Sequence, residues 1–158
     1  MQNEAMLRRQ IANLLTSNVA HVEFEKAVAD LAEPLRGQRP QGAEHSPWEV
    51  LEHLRITQWD ILEFSRNSKH KSPEFPAGYW PKTQEPPSAG AWEKSAESFL
   101  KDRKALCALV AAESTDLFAK IPHGDGQTML REALLAADHT AYHLGEMILL
   151  RRLLGAWK

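Results

Sequence analysis

The chain has one cysteine in 158 residues, Cys107, so an internal disulfide is excluded. It lies in the apolar run Ala105-Leu106-Cys107-Ala108-Leu109-Val110 and reads as a small buried residue rather than a reactive thiol. Net charge is equally scarce. A formal balance of -2 argues against nucleic acid as the main partner. No long hydrophobic run is present either, because charge interrupts the apolar stretches every few residues, so no membrane-spanning helix and no membrane partner are expected. The opening Met1-Gln2-Asn3-Glu4-Ala5-Met6-Leu7-Arg8-Arg9 has an acidic residue before any apolar core, unlike a signal peptide, and a cytoplasmic location is the corresponding expectation.

Proline and glycine are missing from the first part of the chain, with none before Pro34 and Gly37 respectively. Apolar residues recur there at Leu7, Ile11, Leu14, Phe24, Val28, Leu31 and Leu35, a spacing that predicts a first helix from about Asn3 to Leu35. The run Gly37-Gln38-Arg39-Pro40-Gln41-Gly42 stops it. Ser46-Pro47-Trp48-Glu49 then carries a strong start signal, with a serine to cap, a proline suited to the first turn and a glutamate to return the capping bond. A second helix is predicted to about Arg66, a third from Ala91 to Lys120, and a fourth from near Thr128 to about Leu154. In the fourth, Arg151 and Arg152 suit the last turn and Gly155 suits a left-handed cap.

Between the second and third helices, residues 67–90 contain Pro73, Pro76, Pro81, Pro86 and Pro87, which rules out a regular helix. A flexible linker would hardly carry Phe75, Tyr79 and Trp80. The segment therefore reads as an ordered crossover whose aromatics pack back over one edge of the helices and restrict access to a pocket there. The length fits one domain, residues 1–158, able to bury its own core. The pattern is all-α, a four-helix bundle with a long crossover between helices two and three, which allows those two helices to lie parallel.

Chemistry is concentrated in Asp138-His139-Thr140-Ala141-Tyr142-His143. Four residues advance a helix by one turn plus about 40°, so His139 and His143 project from one face and could share an ion. Such a pair also arises as an ordinary solvated or core pair. A third imidazole would make a facial triad. His53, in Trp48-Glu49-Val50-Leu51-Glu52-His53, is one candidate, flanked along its helix by Val50 and Thr57. His21 is another, sharing a helical face with Leu14, Phe24 and Val28 and so expected to point inward, as a ligand or as a hydrogen-bonded core residue. Glu146 lies three residues past His143 and could orient a ligand, accept a proton or pair with Arg151. Asp60, two turns after His53, has the same ambiguity. The turn at His123-Gly124-Asp125-Gly126 lacks the strand and lysine of a phosphate loop, and neither a Ser-His-Asp set nor a CxxC can be placed.

The elements Ser-Pro-Trp-Glu-Val-Leu-Glu-His53 and Asp138-His139-Thr-Ala-Tyr-His143-Leu-Gly145-Glu146, followed by Arg151-Arg152-Leu-Leu-Gly155, resemble the DinB-like superfamily of four-helix metalloproteins over essentially the whole chain. The resemblance implies a divalent metal, zinc or nickel, on His53, His139 and His143. Three neutral imidazoles leave a coordination position open and the ion's charge uncompensated, which acidifies a bound water or thiol. Members similar in metal motif include bacillithiol transferases and a mycothiol-dependent isomerase, and the family is also described as metal-dependent hydrolases. The implied activity is transfer of a low-molecular-weight thiol to a small-molecule substrate, or its hydrolysis, with Glu146 as the candidate catalytic residue. The alternative is a non-catalytic metal- or ligand-binding bundle in stress response. Trp157, just past the last helix, would be poorly covered in a monomer, so a homodimer is expected.

Overall fold

The computed structural model describes residues 2–16 and 20–157. They form α1 (Gln2–Thr16), α2 (Phe24–Val28), α3 (Pro47–Arg66), α4 (Ala91–Ala111) and α5 (Met129–Leu153), with short 3-10 turns at Glu33–Leu35 and Ala77–Tyr79. Among the described residues there is no strand, only an isolated bridge between Lys120 and Thr128. None of the helices is long and apolar enough to cross a membrane.

The start of α3 follows its sequence signal. Ser46 Oγ accepts from the Glu49 amide at 3.2 Å, and Glu49 Oε2 accepts from the Ser46 amide at 2.8 Å, so each side chain satisfies a helix-start donor of the other. Arg39 pairs with the same Glu49 carboxylate. At the other end of the chain, Thr128 caps α5 by accepting from the Arg131 amide at 3.2 Å, and Gly155 takes the left-handed conformation at φ +69°. Arg151 is more than a dipole complement. Its buried guanidinium donates to the carbonyls of Ala27 and Ala29, each at 2.7 Å, tying the end of α5 to the end of α2, while Trp157 lies against it at 4.9 Å.

Two of the predicted helices are shorter than expected. The first is broken: α1 ends at Thr16, Ala20 to Glu23 are non-helical, and α2 restarts at Phe24 as a helix of 5 residues. Thr16 Oγ1 has turned back onto the carbonyls of Ala12 and Asn13, both at 3.1 Å, the local competition by which threonine weakens a helix end. The consequence is a change of face, since Leu14 is exposed and Leu15 is buried in its place. The third predicted helix stops at Ala111 rather than Lys120. There Arg8 of α1 donates to the carbonyls of Val110 at 2.6 Å, Ala112 at 3.0 Å and Thr115 at 2.7 Å, satisfying the carbonyls that continuation would have used. Asp116 then accepts from the amides of Phe118 and Ala119, and Leu117 enters the core from a loop.

The buried apolar residues fall into two clusters. One joins Trp48 to Leu54 of α3 with Trp92 and Phe99 of α4 and Leu144 to Leu150 of α5. The second joins Ile61 and Leu62 of α3 with Leu106 and Val110 of α4, Met129 to Ala137 of α5, and Ile11 and Leu15 of α1. The starts of α3 and α4 therefore share one cluster and their ends the other, so the two helices run parallel, as the long crossover allows, and α5 runs antiparallel to both. Between the clusters each helix carries polar residues, Thr57 and Gln58 on α3, Arg103 on α4, and His139, Thr140 and His143 on α5. The site is built in that interval.

Candidate metal centre

His53 reaches the interval from α3, and His139 and His143 reach it from successive turns of α5. Their ring nitrogens lie within 4.8 Å of one another, a grouping that could hold a metal ion. The convergence is of like atoms: His53 Nε2 stands 3.1 Å from His143 Nε2 and 2.9 Å from His139 Nε2. Donors about 2.0 to 2.1 Å from one ion, at coordination angles of about 90 to 109°, stand roughly 2.8 to 3.4 Å apart. The two His53 spacings fall in that range, and the third pair lies within 4.8 Å.

The opposite nitrogens set which tautomer each ring adopts. His53 Nδ1 donates to the Tyr79 carbonyl at 2.8 Å, and His143 Nδ1 donates to Glu146 Oε2 at 2.8 Å. A neutral ring protonated at Nδ1 carries its lone pair on Nε2, so the two lone pairs face each other across 3.1 Å. A cation between them relieves the repulsion. Burial pushes His53 down to about 4, against the raising effect of its bond to Tyr79 and helped by the neighbouring His143. Burial likewise pushes His139 down to about 3, helped by His143 and His53. Both rings are thus held neutral at physiological pH, the state in which imidazole binds a metal.

Glu146 does not pair with Arg151. Its carboxylate takes His143 Nδ1 on one oxygen and His45 Nδ1, at 3.0 Å, on the other. Burial alone would raise this carboxyl, but the two imidazole bonds outweigh it and hold the group below its ordinary value. Asp60 is also accounted for: it accepts from the Tyr79 hydroxyl and from His70 Nε2, each at 2.7 Å. Burial, then the bond to Asp60, pushes the Tyr79 phenol up to about 12.

The crossover is an ordered wrap. Besides the Tyr79 contacts, Trp48 Nε1 donates to Thr83 Oγ1 and Ser46 Oγ donates to the Gln84 carbonyl. Trp80 stacks on His53 at 4.0 Å and 4° on one face and on His45 at 3.9 Å and 11° on the other. The expected placement of Tyr79 and Trp80 beside the histidines is met, whereas Phe75 is 85% exposed. A cavity of about 600 Å³ opens under the crossover and has His53 and His139 in its wall.

His21 is not part of this centre. Its ring is exposed and bonds the adjacent Val22 carbonyl, because the break after α1 removes the continuous face that would have turned it inward. His123 sits in its turn and bonds the Phe64 carbonyl at 2.7 Å, and Tyr142 is 74% exposed. His45 and His70 were missed by sequence reasoning. His45 directly precedes the capping Ser46, and its adjacency to a marked helix start was the available signal. His70 had none, being positioned only by the path of the crossover.

A family model described as the DinB superfamily matches residues 19–147, a span that includes the three histidines, His45 and Glu146. No curated protein matches the chain, and no solved structure does.

Proposed function

The chain belongs to the DinB superfamily, and on that premise we propose that it is a metalloenzyme in which His53, His139 and His143 hold a divalent ion, zinc or nickel, beside a substrate cavity. The observation that carries the reading is the convergence of three Nε2 atoms, two of them with Nδ1–H groups already committed to Tyr79 and Glu146. When bound, such an ion would supply Lewis-acid activation of a thiol or water nucleophile. The chain's own part is to keep His53 and His139 neutral by burial, to fix two of the three tautomers, and to shield one side of the centre with the Trp80 indole.

Glu146 is the positioning residue for His143 in this account. Both its oxygens are occupied by imidazole N–H groups and it is not in the cavity wall, which favours an orienting role over that of a proton acceptor. Catalysis is favoured over a purely structural metal by the ligand count. Among the described residues the cluster contains three protein ligands and no fourth, and two of the three border a cavity, whereas structural zinc is closed by four. The test is a screen of thiol conjugation and of ester and amide hydrolysis, run with metal-loaded and chelated protein. Activity that requires the metal and disappears in His139→Ala supports the enzyme reading. Absence of any turnover in a fully loaded protein would return the site to metal storage or sensing.

A further inference from the structure

The outer side of α5 is apolar where a solvated helix face is ordinarily polar. Half of the large apolar side chains exposed among the described residues lie on this one helix, namely Leu134, Leu135, Tyr142, Leu149 and Leu153. Tyr142, Leu149 and Leu153 are each more than half exposed. At about 100° per residue all five fall within a sector of about 100°, opposite the buried side of the helix that carries Ala136, His143 and Met147. They form one strip along the helix rather than scattered single residues. Trp157, on which the sequence expectation of a dimer rests, is packed instead on Arg151 of its own chain.

Gly145 lies in the middle of the strip. It sits inside the helix, and a methyl group at that position would meet nothing within 4 Å. Glycine weakens a helix interior relative to alanine, and neither a left-handed turn nor a described neighbour within this chain calls for it. A position without a side chain does let a second backbone approach closely. Asp138 and Arg152 lie in the same sector, one seven residues before Gly145 and the other seven after it. Both are exposed, and neither has an ion partner among the described residues. The strip is therefore complementary to itself about Gly145. A twofold axis there sets Asp138 level with the partner's Arg152, about 10 Å from the axis on each side. It also brings Leu134 and Tyr142 of one copy toward the partner's Leu149 and the partner's Leu153. A parallel pairing in register would instead set each of these charges against its like.

We propose that the exposed face of α5 is the contact between two copies of this chain, the two helices crossing antiparallel at Gly145. Such a contact is closed, each copy presenting the same residues to the other. It covers the apolar strip, and it gives each of the two unpaired charges a partner. Nothing in it requires a metal at the histidines.

The test is sedimentation velocity and light scattering of the purified full chain across the micromolar range. Wild type should be a dimer. Leu149→Arg, at an exposed position, should be monomeric at the same concentrations with an unchanged circular dichroism spectrum. The charges test the register. Asp138→Arg and Arg152→Asp each bring like charges together twice in the dimer, so each should weaken association by about tenfold or more. The double exchange restores opposite charges and should return the affinity to within about threefold of wild type. Gly145→Leu should weaken association by about tenfold or more by holding the helices apart. A wild-type chain that stays monomeric throughout the range would overturn the proposal and leave the strip to a different partner. So would a dimer that survives Leu149→Arg, single charge exchanges without effect, or an effect that the double exchange does not reverse.

Discussion

Replacing Tyr79 by phenylalanine removes one oxygen atom and asks whether the crossover governs the metal centre. The hydroxyl donates to Asp60 Oδ2 at 2.7 Å, while the carbonyl of the same residue accepts from His53 Nδ1 at 2.8 Å. One residue therefore links two positions of α3 seven residues apart, and loosening its side chain loosens the backbone group that sets the His53 tautomer. A hydrogen bond to a carboxylate contributes about 1.5 to 3 kcal/mol, and about 2 kcal/mol corresponds to roughly a thirtyfold change in a closing equilibrium. That factor is the ceiling, because apparent affinity falls only with the fraction of molecules in the competent state. The remaining anchors, the Trp80 stack and the bonds at Thr83 and Gln84, keep most molecules closed, so the expected loss of metal affinity is about threefold to tenfold. Chelator competition on wild type, Tyr79→Phe, Asp60→Asn and the double variant measures it. Tyr79→Phe deletes this bond and Asp60→Asn weakens it by removing the charge on its acceptor, so the two changes should be less than additive. Metal affinity that stays at wild type in both single variants, while their urea midpoints fall, would refute the link between clamp and ligand.

Three further outcomes are expected. Glu146→Gln should lower metal affinity by about 10- to 100-fold, the usual effect of losing a partner that orients a ligand, with the circular dichroism spectrum unchanged; an unaltered affinity would show that His143 needs no support. In the metal-free protein, His53 and His139 titrate near 4 and near 3 when folded, against about 6.5 for an unfolded histidine, so the unfolded state takes up protons first. Stability should be level above about pH 6.5 and fall below it toward pH 4, each group adding a slope of up to about 1.4 kcal/mol per pH unit, and urea midpoints of the His53→Gln/His139→Gln variant should lack this component. Gly37→Ala should destabilise by about 1 to 3 kcal/mol, because the added methyl would overlap the Glu85 side chain where the crossover passes over this loop; an unchanged melting temperature would mean that the crossover is not held there.

The helices that could be read from sequence are those with a chemical start or stop. Ser46, Pro47 and Glu49 mark one end of α3, and Thr128 and Gly155 mark both ends of α5, so the ligand-bearing helices were placed nearly to the residue. The ends of α1 and α4 carry no such mark. They are set by Thr16 turning onto its own helix and by Arg8 reaching across to the carbonyls of α4, and periodicity alone runs through both breaks. The same distinction divides the site. His139 and His143 share a face by helical geometry, and His53 follows from the family resemblance. His45, His70 and the roles of Asp60 and Glu146 depend on tertiary placement, since each is defined by a partner between 10 and 101 residues away or, for His143 and Glu146, by the choice among several partners on offer. His21 failed because its argument required a helix that the chain does not continue.

The central claim, that three histidines from α3 and α5 hold one divalent ion, is tested most directly by elemental analysis of protein purified without a histidine tag. Wild type should carry close to one zinc or nickel per chain, and His53→Ala, His139→Ala and His143→Ala should each lose it while keeping the helical circular dichroism of the parent. His21→Ala should retain it. A wild-type chain that binds no divalent metal when offered it, or full occupancy in the three single variants, would contradict the account.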